Sequence, residues 1–110
     1  MIRIGIIGCG RILPAHLRGY RLLREAGFDG FQITALCARK LDDARSFVTR
    51  GEGPPQRKAV SEIPGDPLAI DDQFLSDFQD DVDVAVFDDF PDLIASDQVD
   101  AVNDYTTHGL

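Results

Sequence analysis

The chain has 110 residues, of which 44% are hydrophobic and 27% are charged, enough for one small domain with an ordinary core. Its charge is divided: residues 1–60 hold all eleven lysines and arginines with five acids, and residues 61–110 hold fourteen acids and no lysine or arginine. The acidic half would repel phosphates, which argues against nucleic-acid binding by the whole chain. The sequence has no apolar run of about eighteen residues, so no membrane span is predicted.

The two cysteines, Cys9 and Cys37, are too few and too widely spaced for a disulfide framework or a metal site. Both lie in apolar stretches, so we expect small buried side chains in a reducing, cytoplasmic environment. The acids between residues 71 and 83 lack the spacing of a calcium loop. The sequence therefore predicts no metal ligand.

The first half of the chain predicts the order strand, helix, strand, helix. Residues 2–7 form an apolar run typical of a buried parallel strand. Residues 11–26 carry apolar side chains at spacings of three and four, as an amphipathic helix does, and Gly27 follows as its cap. Residues 31–37 predict a second strand and residues 41–50 a second helix. This order is typical of a right-handed parallel α/β unit.

The second half begins irregularly. Residues 51–67 hold four of the six prolines and three of the ten glycines, too many for a helix or a central strand. The irregular stretch continues to about residue 81, which is long for a connection and predicts an excursion with a role or a partly mobile segment. Residues 82–87 then predict a short strand, residues 89–95 a helix capped by an aspartate, and residues 99–106 a last strand.

A glycine-rich turn stands directly between the first strand and the first helix. There the first glycine permits a tight turn, the second lets a pyrophosphate approach the backbone, and the helix N-terminus attracts negative charge. The third small residue of such a fingerprint would fall at Leu13, which is a departure. The alternative is a turn with no ligand. The predicted cofactor-binding residues of this turn are Gly8, Cys9, Gly10, Arg11 and Ile12.

The residues after the second strand bear on the choice of cofactor. A fold that binds NAD places an acid there for the ribose 2′-hydroxyl, whereas this chain has Arg39 and Lys40 and no acid before Asp42. Two cations favour the 2′-phosphate of NADP. We therefore expect NADP in preference to NAD; alternatively, both cations only lead into a solvated helix.

The opening IRIGIIGCGRILPAHLRGY resembles the glucose–fructose oxidoreductase, inositol dehydrogenase and MocA-type (Gfo/Idh/MocA) family, in which an apolar strand precedes G-x-G-x-I and a His-Leu pair. The matching residues are Gly8, Gly10, Ile12, His16 and Leu17. Residues 33–47 resemble the family's second strand and helix, and residues 86–110 its later strand, helix and strand. Departures in the later segment are the polar Asn103 and Asp104, at places that are commonly apolar, and Thr107 in place of a proline.

The resemblance implies a Rossmann-type doubly wound parallel sheet, here partial, with an insertion at about residues 51–81. Residues 1–110 would then be the N-terminal dinucleotide-binding domain of a longer NAD(P)-dependent oxidoreductase acting on a sugar, a polyol or a related hydroxyl or carbonyl compound. The resemblance places Thr106, Thr107 and His108 beside the nicotinamide ribose, whereas His16 is expected to pack locally.

The family's catalytic lysine lies in an E-K-P motif that this sequence does not contain. No catalytic residue is therefore expected in this chain, and substrate binding and homo-oligomer formation are expected of a further domain. The alternative is a non-catalytic dinucleotide-binding or sensing module. A flavodoxin-like domain is a weaker alternative, because its phosphate loop is usually richer in serine and threonine.

Overall fold

The computed structural model describes residues 1–56, 63–66, 69–80 and 82–105. The strands in these residues are β1 (Ile2–Ile7), β2 (Phe31–Cys37), β3 (Ala85–Phe87) and β4 (Ala101–Asp104). The α-helices there are α1 (Leu13–Glu25), α2 (Leu41–Arg45) and α3 (Phe90–Ala95), and one 3₁₀ turn covers Leu75–Asp77. The four strands form one parallel sheet in the order β3-β2-β1-β4. The predicted α/β class and parallel pairing are confirmed.

Helices cover both faces of the sheet, to which side chains point in alternation. In β2 a register shift after Ile33 interrupts the alternation, so Ile33 and Leu36 face the same side. On one face the core joins β1 and β2 to α1 and α2, and its fully buried members include Ile6, Leu13, Leu17, Ile33 and Leu36. On the other face Leu93 of α3 packs with residues of β1 and β2. Gly5 permits this close approach, since a Cβ at Gly5 would lie 2.7 Å from Val99 Cγ1 and 3.0 Å from Leu93 Cδ2.

The first strand, the second strand and the end of α1 lie where the sequence predicts them. Gly27 has a φ of +98°, the left-handed conformation that ends many helices. Its amide donates to the carbonyl of Arg24 at 3.1 Å, and the amide of Phe28 donates to the carbonyl of Leu23 at 3.0 Å. The helix therefore has the predicted glycine cap.

Helix α2 ends at Arg45, five residues before the end that the sequence predicts at residue 50. The carbonyls of Phe47 and Val48 accept hydrogen bonds from the amides of Leu75 at 2.8 Å and Ser76 at 3.0 Å. Those carbonyls are thus used by a distant segment instead of by a further helical turn. Phe47 still packs in the core on the predicted inner face.

Residues 69–80 of the predicted insertion pack against the face that carries α1 and α2. Leu75 is 1% exposed and belongs to the core cluster on that face. The Arg50 guanidinium binds the carboxylate of Asp77 through two hydrogen bonds, of 2.8 and 2.7 Å. Residues 69–80 are therefore an ordered layer.

This layer is anchored to the amino-terminal half of β2. The Gln79 side-chain amide accepts from the Ile33 amide at 3.0 Å and donates to the Ile33 carbonyl at 2.8 Å. Because β3 pairs with β2 only from Ala35 onward, the Gln79 amide takes the place of a neighbouring strand. Ile33 is roughly 13 Å from Cys37 at the usual rise of a strand. The anchor thus lies away from the carboxyl edge of the sheet.

The last strand and helix differ from prediction in detail. Strands β3 and β4 are shorter than expected, and the predicted end of β4 at residue 106 lies outside the described residues. Asp89 is the N-cap residue of α3, as predicted, but its side chain makes no capping hydrogen bond. None of the described helices has the length and apolar character needed to cross a membrane.

Candidate functional site

The strand order reverses between β1 and β4. The chain moves outward from β1 to β2 and β3, and then returns through α3 to place β4 on the other side of β1. In open parallel sheets, ligands bind beyond the carboxyl ends of the strands at such a reversal. Ile7 and Asp104 are register partners, and the Tyr105 amide donates to the Ile7 carbonyl at 2.8 Å. Gly8 and Tyr105 therefore leave the sheet side by side and border this crevice.

The turn after β1 is tied to the end of β2. Gly8 has a φ of +101°, which glycine adopts without strain, and its amide donates to the Cys37 carbonyl at 2.9 Å. The Cys9 thiol donates to the same carbonyl at 3.4 Å and is buried. Burial raises the pKa of Cys9 to about 12, so this thiol stays protonated at neutral pH. Cys9 can therefore offer a ligand only its backbone.

Gly10 has room for a side chain. A Cβ at Gly10 would meet no heavy atom of the described residues within 4 Å, and its φ lies outside the left-handed region. Neither packing nor backbone conformation within the described part of the chain therefore requires glycine at this position. A ligand that approaches the backbone closely would require it.

The N-terminus of helix α1 has neither a capping side chain nor a first-turn acid within the described residues. Leu13, the departure from the dinucleotide fingerprint, is fully buried in the core, so the sheet and helix accommodate its larger side chain. Arg11 is exposed beside the helix start. Pro14 has no amide hydrogen, and the amides of Leu13 and Ala15 donate to the carbonyls of Gly10 at 3.3 Å and Ile12 at 3.1 Å. The helix dipole, more than the first-turn amides, therefore makes this end favourable for an anion.

The two cations predicted to face a 2′-phosphate follow β2. Arg39 and Lys40 are both exposed, and Lys40 is the residue before α2. Asp42, the first acid after them, lies 3.4 Å from the Arg45 guanidinium in an exposed ion pair. Arg39 and Lys40 therefore retain the accessibility that binding a phosphate would need.

Two acids follow the neighbouring strand β3 directly. The Ala38 amide donates to the Phe87 carbonyl at 3.1 Å, so the pairing of β2 with β3 continues to the point where Asp88 and Asp89 begin. Burial raises the pKa of Cys37, and the charges of Asp89 and Asp88 add to that rise. No local sequence pattern indicated this acidic pair.

A stacked pair of rings joins α1 to the end of β4. The His16 and Tyr105 rings are 3.7 Å apart between centroids, with 8° between their planes. The Tyr105 hydroxyl lies 2.6 Å from that of Tyr20, and the Asn103 side-chain amide donates to the Tyr20 hydroxyl at 2.5 Å. Burial lowers the pKa of His16 and raises that of Tyr105, so both rings are predominantly neutral at neutral pH. His16 packs locally, as expected.

Sequence reasoning missed Tyr20, Asn103 and Tyr105 as parts of the site. The available signal was Asn103, a polar residue at a place that is commonly apolar. A polar residue is accommodated at this position because its side-chain amide donates a hydrogen bond to the Tyr20 hydroxyl.

Three predicted residues, Thr106, Thr107 and His108, lie outside the described residues. The described part of the chain contains no group of three or more histidine, cysteine or acidic side chains arranged for a metal ion. A scan against models of protein families and a search of the curated proteins find no match to this chain. Support for a function therefore comes from the residues themselves.

Proposed function

We propose that this chain binds a dinucleotide, NAD(P), as the cofactor domain of an oxidoreductase of the Gfo/Idh/MocA kind. Gly10 carries the proposal by its position, since Gly19 and Gly30 also meet no described atom within 4 Å but lie inside α1 and before β2, away from the carboxyl ends of the strands. Gly10 lies between a strand end at the reversal of strand order and a helix start that no side chain of the described residues caps. A pyrophosphate accounts for these features together, since it requires close backbone approach, amide donors and positive potential.

The order β3-β2-β1-β4, with helices on both faces, supports a Rossmann-type assignment, because a doubly wound sheet begins with this order. In the proposed complex the turn from Gly8 to Ile12 holds the pyrophosphate. The cations after β2 hold the adenosine end, and Thr106, Thr107 and His108 contact the nicotinamide ribose.

A bound nicotinamide would supply hydride transfer with a sugar, a polyol or a related hydroxyl or carbonyl substrate. The residues of this chain bind and orient the cofactor, and none is assigned a catalytic role. Substrate binding by a further domain and a homo-oligomeric state remain part of the proposal for a longer protein.

Arg39 and Lys40 support NADP as the preferred cofactor. A hydrogen bond to a charged group contributes about 1.5–3 kcal/mol, or roughly 10- to 100-fold in affinity. The neighbouring Asp88 and Asp89 oppose the binding of an additional phosphate. We therefore expect the preference for NADPH over NADH to lie near the lower end of that range, at about tenfold.

Titration with NADPH and NADH tests the proposal. The chain has no tryptophan, so nicotinamide fluorescence can be followed without tryptophan emission, and calorimetry provides a second readout. We expect both cofactors to bind and the double substitution Arg39→Ser with Lys40→Ser to abolish the preference for NADPH. Arg18→Ser, which removes an exposed cation from α1, is the matched control and should leave the preference intact. Binding of neither cofactor would contradict the proposed function.

A non-catalytic binding module is the second candidate. Both candidates are compatible with the two lysines, Lys40 and Lys58, neither of which lies in an E-K-P motif. Nucleotide titration does not separate the two candidates, because both bind the cofactor. Reading the coding sequence beyond Leu110 does: an E-K-P motif followed by a second domain would exclude the non-catalytic module.

A further inference from the structure

Tyr105 is held at three points as it leaves β4. Its amide donates to the carbonyl of Ile7, the last residue of β1. Its ring lies flat against the His16 imidazole, and its hydroxyl meets that of Tyr20. The first contact fixes the backbone of Tyr105, and the other two fix its side chain against α1.

The ring contact is a close stack. Aromatic rings prefer offset or edge-to-face arrangements with centroids about 4.5–7 Å apart. The His16 and Tyr105 rings are instead nearly parallel, with centroids 3.7 Å apart. The hydroxyl contact with Tyr20 and the backbone bond to Ile7 hold the Tyr105 ring in this position.

The stack lies close to the predicted pyrophosphate site. His16 is the fourth residue of α1, roughly 4.5 Å along the helix axis from Leu13 at the usual rise per residue. Tyr105 follows the strand that lies beside β1 at the reversal of strand order. The stack therefore connects the helix whose N-terminus faces the crevice with the chain segment on the other side of that crevice.

We infer that His16 and Tyr105 are a positioning pair for the nicotinamide half of the dinucleotide. This inference rests on the proposed function. The pair fixes the spacing between the start of α1 and the end of β4, across which the cofactor lies. Loss of either ring lets Tyr105 and the end of β4 shift relative to α1, which misplaces the nicotinamide half. The adenosine half lies over β2 and does not depend on this spacing.

The test compares NADPH with adenosine 2′,5′-bisphosphate, which lacks the nicotinamide half. Tyr105→Leu and His16→Ala each remove one ring and should weaken NADPH binding about tenfold, while the affinity for the bisphosphate stays within about threefold. Tyr105→Phe and His16→Phe keep both rings and should retain NADPH affinity within about threefold. Phe28→Leu removes an exposed ring elsewhere and is the matched control, expected to change neither affinity.

The outcomes separate this inference from the proposed function. Unchanged NADPH affinity in Tyr105→Leu and His16→Ala would overturn the positioning role while leaving dinucleotide binding intact. Equal losses for NADPH and the bisphosphate would also overturn it, because they would show a general structural defect. If the unmodified chain binds neither ligand, dinucleotide binding itself is refuted.

Discussion

Replacing Gly10 by alanine tests whether this glycine is required for folding or for ligand binding. The added methyl group meets no described atom within 4 Å, and the backbone of Gly10 is not in the left-handed region. Alanine also reduces the conformational freedom of the unfolded chain, which stabilises a compatible site by about 0.4–1 kcal/mol. The substitution should therefore leave the free energy of unfolding unchanged or slightly increased.

The same methyl group should weaken cofactor binding. It occupies the space through which a pyrophosphate approaches the backbone of the turn before α1. Loss of one hydrogen bond to a charged group costs about 1.5–3 kcal/mol, which corresponds to a dissociation constant roughly 10- to 100-fold higher. Gly10→Ala is thus expected to impair binding without impairing folding.

Gly19→Ala is the matched control in the helix that follows. A methyl group added at Gly19 also meets no described atom within 4 Å, and Gly19 lies inside α1, where alanine is favoured over glycine by about 0.5–1 kcal/mol. We expect it to raise stability and leave affinity unchanged. Urea unfolding followed by circular dichroism gives the stabilities, and NADPH titration gives the affinities. Unchanged NADPH affinity in Gly10→Ala would refute close approach of the pyrophosphate at this glycine.

Three further predictions concern the fold. Gly5→Ala should cost roughly 1–3 kcal/mol in urea unfolding, because its methyl group would lie within 3.0 Å of two side chains on the α3 face. The Arg50 guanidinium holds the pKa of Asp77 below its usual value. The stability that this ion pair contributes is therefore fully present above the usual pKa and is lost as the pH falls through the lowered pKa. When stability is measured as a function of decreasing pH, Asp77→Asn should lose less stability than the unmodified chain. Cys9 and Cys37 are buried with raised pKa values, so a thiol reagent at about pH 8 should label neither in the native chain and both in denaturant; rapid native labelling would contradict their burial.

The elements with local signals were predictable from sequence. Strand β1 is an apolar run, and the turn at Gly8 and Gly10 marks where it gives way to a helix. The end of α2 was not predictable, because the partner of the Phe47 carbonyl is the amide of Leu75, far along the chain. Local periodicity carries no information about such a partner.

In the candidate site, too, local motifs were predictable and contacts between distant residues were not. The glycine turn and the cations after β2 were identified from short motifs, and the structure places both at the carboxyl edge of the sheet. The bond from Asn103 to Tyr20 joins residues 83 positions apart. Only the placement of β4 beside β1 brings them together, and that placement depends on the topology of the whole sheet.

In the folded chain, strands from the acidic half of the sequence flank the strands from the basic half. Strands β1 and β2, from the basic half, lie between β3 and β4, from the acidic half. Ion pairs join the halves where they meet, as when the Arg3 guanidinium binds Asp100 at 3.0 Å. The chain as a whole carries a charge of −8 and would repel an anionic cofactor. Attraction must therefore come from groups at the crevice, chiefly the start of α1 with Arg39 and Lys40, so removing those two cations should affect affinity more than removing the distant Arg18.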